Sequence, residues 1–329
     1  MDPHVSELLR RGERRWGERA IEVAIHSSAF IVVAALVLIF VFVAKEAVPM
    51  VTSPEVHEEV TIRSMVEPLP NGKFSWQPVS NVPKYSLLPL LVGTLKVTFV
   101  ALFIALPIAI GAAVFTSEFA PQWAREFIKP VVELLAGIPS VVIGFFAIMV
   151  LATWVQDATG CIVRLNAITA GIGLSLAVIP IVYTVAEDAL SAVPQAFRDG
   201  SRALGANPWQ TAWGVVLPAA KPGVFAACVL GFGRAIGETM IVLMSSGNAA
   251  TTSIDPRESL RTFSATIAAE LGEVVHGSPH YHVLFFLGVV LFAVTFVSNL
   301  AGHWYVNRLR GKLRGRPASP KPVVAEARP

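Results

Sequence analysis

The chain has 329 residues, of which 54% are hydrophobic and only 15% charged, with a mean hydropathy of +0.61. A water-soluble domain carries about a quarter charged residues and a disordered chain is poor in apolar ones, so both classes are excluded and the apolar surface must face lipid or itself. The net charge of +3 is not a nucleic-acid footprint, because the basic residues gather at the two ends rather than on an aromatic-studded stripe.

In chain order, residues 1–24 form a basic segment with Arg10, Arg11, Arg14, Arg15 and Arg19. A spanning helix needs about 20 mostly apolar residues. Six stretches qualify, at about 25–44, 88–115, 130–154, 167–184, 213–244 and 283–304. The predicted fold class is therefore an all-α integral membrane protein with six transmembrane helices. The first stretch reads as an uncleaved anchor rather than a signal peptide, since it is longer than an h-region and lacks a small-x-small cleavage site. Residues 307–329 form a second basic segment, with Arg308, Arg310, Lys312, Arg314 and Arg316. By the positive-inside rule both termini are expected in the cytoplasm, which agrees with an even number of spans.

That orientation puts residues 45–87, rich in Pro and acidic residues, in an external loop. Residues 247–282 are also external, and SLRTFSATIAAELGEVV within them has the spacing of a short surface helix. His280 and His282 are expected to be solvated there, with too few neighbouring ligands for zinc. Cys161 and Cys228 lie in different segments without CxxC spacing. Lys96, in the second span, is expected to snorkel to the outer interface, with a second attraction point for an entering anion as the alternative. Glu133 reads as interfacial or paired, and Pro139 and Pro180 as breaks or kinks whose freed carbonyls neighbouring helices satisfy.

The cytoplasmic connection at 187–220 does not read as a passive loop. Pro194 suits the first turn of a helix over 195–204, with Phe197 and Leu204 seven residues apart on one face. Gly205 suits a left-handed stop, and Asn207-Pro208 supplies an N-cap followed by Pro at the first helical position. A second helix then runs into Val215, Val216, Leu217 and Pro218. Two short helices with an apolar face suit docking into a groove of a separate protein.

The fifth span carries GFGRAIGETMIVLM at 231–244. Arg234 and Glu238 are four apart and so expected on one helix face. Each costs about 2.5–3.5 kcal/mol near a span centre, so such residues face the protein interior and mark substrate paths. One reading is an internal ion pair that locks the helix to a neighbour. The other places Arg234 on an anion path, where a guanidinium fork matches a tetrahedral oxyanion. Glu238 then holds the empty arginine, or accepts a hydrogen bond from a P–OH that fully ionised sulfate lacks. Gly233 and Gly237 permit close packing or a bend. An intramembrane enzyme using Glu238 or Asp188 is a different-class alternative, but no paired carboxylates, HExxH or Ser/His constellation supports it. GxxxxGK[ST] is absent, so any ATP is bound by another polypeptide.

RDGSRALGANPWQTAWGVVLP at 198–218 resembles the EAA loop of ABC-importer permeases. Asp199, Gly200 and Ser201 stand at its Glu-Ala-Ala, Gly205 at its glycine, and Val215, Leu217 and Pro218 at its tail. The 231–244 segment is similar to the GLGRALGETMAV stretch of phosphate-specific (Pst) ABC permeases. Residues 91–121 and 131–151 resemble that family's second and third spans. GETM and SATIAAELGE (264–273) favour its C-type member over the A-type, which reads GETAP. The resemblance implies a type I ABC importer (MetI-like) permease core over 88–306 and import of inorganic phosphate across the cytoplasmic membrane. Related permeases take molybdate or sulfate, and a purely sensory role is a further alternative. It also implies a PstA-like second permease, a PstB-like ATPase dimer holding ATP and Mg, and a PstS-like phosphate-binding protein. This chain itself is expected to bind no cofactor or metal.

Overall fold

The computed structural model describes residues 15–69 and 72–313. Arg10, Arg11, Arg14, Arg314 and Arg316 therefore lie outside the described residues. Six helices among those described are long and apolar enough to cross a membrane.

The second span, Leu87–Val114, continues through a π-turn at Phe115–Phe119. It packs along the fourth span, Ala167–Ser191, and this pair is the centre of the fold. Ala101, Ala105, Ala109 and Ala113 recur every fourth residue and are fully buried against Ala170, Leu174, Val178 and Ala186. Such a small-residue stripe lets two helix backbones approach where water supplies no hydrophobic drive. At Gly171 the approach is close enough that a Cβ would stand 2.4 Å from Val100 Cγ1. Asn166 caps the fourth span, its side chain accepting from Thr169 N at 3.0 Å. The helix runs unbroken through Pro180, so that proline ends nothing.

The first span, Arg15–Ala47, lies at the periphery and packs on the sixth, Pro279–Leu313, through Phe40–Phe292 and Phe42–Phe285 ring pairs. The third span begins at Ser140 and ends at Thr159, ten residues later than the 130 predicted. Residues 130–136 belong instead to a separate amphipathic helix, Gln122–Ala136. Pro139 sets the boundary: it has no N–H to donate and restricts Ile138 before it, so it serves as N-cap of the span. The charged residues of the 122–136 helix (Arg125, Glu126, Lys129, Glu133) set it apart from the six apolar spans, and Glu133 is exposed on it.

Residues 45–87 are not an open loop. Helices Pro49–Thr52, Pro54–Glu59 and Ile62–Val66 precede a two-stranded antiparallel hairpin in which Trp76 pairs with Tyr85. Met50, Val56, Val60, Met65, Trp76 and Tyr85 bury into a second core with Leu90, Phe263 and Leu284. The apolar residues spaced among the prolines and acids form this face, which composition alone hides. The helix predicted on the surface near 259–275 covers Phe263–Glu270, and its first turn is buried in the same region.

His280 and His282 are likewise not solvated. His280 Nε2 lies 3.2 Å from Glu270 Oε2, and the ring stacks on Tyr85. His282 Nδ1 meets Glu46 O at 2.8 Å, where the first and sixth spans converge.

Candidate functional site

The fifth span rises as one helical rod from Pro208, through a π-turn at Ala212–Val216, to Gly237. It does not continue to residue 244. Glu238 is extended (φ −69°, ψ 133°), and a short helix, Met240–Ser245, resumes after Thr239. Gly233 and Gly237 weaken the last turn, and Ser264 Oγ donates to Glu238 O at 2.8 Å, satisfying a carbonyl that the helix has released. Arg234 and Glu238 thus do not share a helical face as their spacing predicts. They still pair, Nη2 to Oε2 at 3.2 Å, across the helix end.

The two partners sit in different surroundings. The Glu238 side chain is 3% exposed and that of Arg234 46%. The carboxylate is anchored inside the chain while the guanidinium stands on its surface, with donors left over for another group. Gly233 accepts the close approach of Asn299, whose Oδ1 would lie 3.1 Å from a Cβ there. Gly237 has open space instead, and with Thr239, Ser264, Ile267, Leu271 and Leu291 it lines a recess of about 550 Å³ at the break.

At the opposite end, the connection between the fourth and fifth spans is shorter than the predicted 187–220: the fourth span runs on to Ser191, the first predicted helix forms, and the second is not a separate helix but the start of the fifth-span rod at Pro208. The first covers Gln195–Ala203, with Pro194 as its N-cap, one position before the first turn. Gly205 adopts φ +83° and stops the helix, as its sequence position predicts. Asn207 forms a capping box with Gln210, their reciprocal bonds measuring 2.8 and 2.9 Å. Of the EAA-like triplet, Asp199 and Gly200 face outward, whereas Ser201 is buried and its hydroxyl meets that of Thr211 at 3.0 Å. Leu217 and Pro218 lie inside the fifth-span rod, in the first turn after its π-segment. Phe197, Leu204, Trp209 and Trp213 remain exposed around the loop.

Two charge groups at this end join residues far apart in the chain. Arg198 is buried and grips Glu118. Lys129 bridges Glu187 and Asp188, each at 3.1 Å, and these carboxylates raise the lysine above its ordinary range. Their partners are 58 to 80 residues apart, so no local spacing marks them. Lys96 does not snorkel to the outer interface as its position in the second span predicts. Nζ donates to Ser253 O at 3.0 Å and Asp255 O at 3.1 Å, so it holds a folded segment rather than reaching water.

Residues 105–311 match the family model described as binding-protein-dependent transport system inner membrane component. The chain is 32% identical over 249 residues to phosphate transport system permease protein PstC 1 of Mycobacterium bovis, covering 68% of this chain and 73% of that one. It is 34% identical over 254 residues to the PstC of Mesorhizobium japonicum, covering 71% and 77%. Its fold matches an inward-facing MetNI methionine ABC transporter structure with a TM-score of 0.53 at 20% identity, over 68% of this chain and 97% of that one. A bacterial ABC transporter involved in alginate import gives 0.57 at 14% identity, over 90% and 99%. With six apolar spans, a kinked fifth span and an EAA-like loop in place, this multi-pass membrane chain belongs to the binding-protein-dependent inner-membrane permeases of ABC importers and, among them, to the PstC-type permeases.

Proposed function

We propose that this chain is one of two permease subunits of an ATP-driven importer of inorganic phosphate. The observation that carries the substrate is the Arg234–Glu238 pair at the helix break, in a chain similar to PstC proteins over about 250 residues. A half-exposed guanidinium within a span is costly against hydrocarbon, so the face that bears it is covered by a second, PstA-like permease and lines a path between the two. Phosphate entering that path takes the free donors of Arg234. Glu238 fixes the arginine when the path is empty and accepts from the P–OH of the monoanion or dianion.

ATP and Mg reside on a PstB-like ATPase dimer that receives the 187–220 loop. A PstS-like binding protein delivers phosphate from outside, and both chain termini lie in the cytoplasm, with 1–24 and 307–329 as basic flanks of the 88–306 core. Closure of the ATPase dimer draws the paired docking helices together and opens the path outward; release exposes it inward.

The test is uptake of labelled phosphate by the reconstituted complex. Arg234→Gln and Glu238→Gln each remove one charged hydrogen-bonding partner, about 1.5–3 kcal/mol, so uptake falls roughly 10–100-fold while the subunits still co-purify. Wild-type uptake in both variants would falsify these path residues. Competition by excess sulfate or molybdate, with the cognate binding protein, decides between phosphate and the other oxyanions.

A further inference from the structure

We propose that the buried Arg198–Glu118 pair is the pin through which the docking helix moves the second and fourth spans as one body. This rests on the reading that the 187–220 loop meets an ATPase, and it names the residue that makes that contact productive.

The covalent path from the fourth span to the docking helix is a corner. The span ends at Ser191, Ala192 and Val193 follow, and Pro194 turns the chain with ψ 139° before the helix at Gln195. A non-helical link of this kind transmits little torque, because its φ/ψ angles absorb a tilt of the helix. Arg198 braces the corner. Its Nη2 donates to Leu190 O, in the last turn of the fourth span, at 3.0 Å and its Nη1 to Val193 O, in the link, at 2.5 Å, so both are tied to the docking helix. The same guanidinium forks onto Glu118 at the end of the second span, Nε to Oε2 at 3.1 Å and Nη2 to Oε1 at 2.7 Å. Ser117 Oγ donates to Glu118 Oε1 at 2.9 Å and fixes the carboxylate from behind.

One side chain therefore joins three elements, and its own exposure is 10% against 7% for its partner. A buried pair of this kind adds little net stability, since desolvation offsets the attraction. What it supplies is geometry: a planar fork with two parallel bonds resists rotation in a way that a point charge does not. The second arm of the loop needs no such brace, because Pro208–Gly237 is continuous helix. Arg198 is thus a positioning residue for coupling rather than a group on the phosphate path.

The experiment compares Arg198→Lys, which keeps the charge and loses the fork, with Glu118→Gln, which keeps the shape and loses the charge. Both are assayed in the complete importer in proteoliposomes, measuring ATP hydrolysis and phosphate uptake together. Uptake per ATP should fall about tenfold, inside the range of measured coupling between sites, with hydrolysis within about twofold of wild type. An unchanged ratio, or a parallel loss of both activities, overturns the proposal. If either variant fails to assemble, spin labels on Leu204→Cys and Phe115→Cys decide, in an importer with Arg198 and Glu118 intact and its native cysteines, Cys161 and Cys228 among them, replaced by serine. Their separation should be the same in ATP-free and ATP-trapped states; a change shows that the docking helix swings independently and refutes the pin. A wild-type importer without phosphate uptake defeats the proposed function instead.

Discussion

Replacing Lys96 by Met separates two roles for a cation deep in the second span. The side chain is 8% exposed, and its ammonium donates to the carbonyls of Ser253 and Asp255 at 3.0 and 3.1 Å. That segment also bonds to the start of the fourth span, Glu258 O and Pro256 O each accepting at 3.2 Å from Ala167 N and Ile168 N. Lys96 therefore clamps a connection joining the second and fourth spans. Methionine fills similar space without a donor, leaving two carbonyls unpaired. Two charge-assisted bonds at about 1.5–3 kcal/mol each, offset by several kcal/mol of ammonium desolvation, leave a net loss of about 1–3 kcal/mol. At about 2–3 °C per kcal/mol for a chain of this size, the unfolding midpoint of the purified protein drops by roughly 2–9 °C. The phosphate KM of the reconstituted importer stays at its wild-type value. An unchanged midpoint together with a raised KM would refute the clamp and return Lys96 to the anion path.

Two glycines test space against backbone. A Cβ at Gly93 would stand 2.1 Å from Arg261 O, a backbone atom that cannot swing aside, so Gly93→Ala should cost about 1–3 kcal/mol or more; an unaltered thermal midpoint contradicts the packing. Gly205 has open space but φ +83°, so Gly205→Ala should cost about 1–2 kcal/mol locally, seen as faster hydrogen exchange at 200–206 and none at 97–109. Asn207→Ala removes the half of the capping box in which its Oδ1 accepts from Gln210 N and should cost about 1 kcal/mol; it is checked by the same exchange measurement, where protection retained at Gln210 and Thr211 would sink it. Tyr85 is pushed above the ordinary phenol range by burial and by its hydrogen bond to Glu59 at 2.6 Å. The folded state therefore holds the proton longer than the unfolded one, and stability is level below about pH 10 and falls above it. Tyr85→Phe should flatten that alkaline fall; midpoints that drop in parallel for both proteins over the same range argue against it.

The elements readable before folding are those whose cause is local. Runs of apolar residues long enough to cross lipid mark the six spans, because the bilayer imposes its thickness on any helix inside it. Gly205, Asn207 and Pro208 announce the docking turn, because a left-handed stop and a capped start depend on adjacent residues alone. Arg234 and Glu238 stand out because ionisable groups are costly in a span, and they do pair. Their geometry was legible only in part: Gly233 and Gly237 allowed a bend, but the helix ends at Gly237, between the two charges, where a serine 26 residues away takes the carbonyl of Glu238. Residues 45–87 acquire a core only when the hairpin meets Leu90, Phe263 and Leu284. Arg198 finds Glu118 80 residues away, and Lys96 finds carbonyls more than 150 residues on. Periodicity and propensity act over a few residues, whereas the pairing of a buried charge is settled by which distant segments the packed helices bring within about 3 Å of each other.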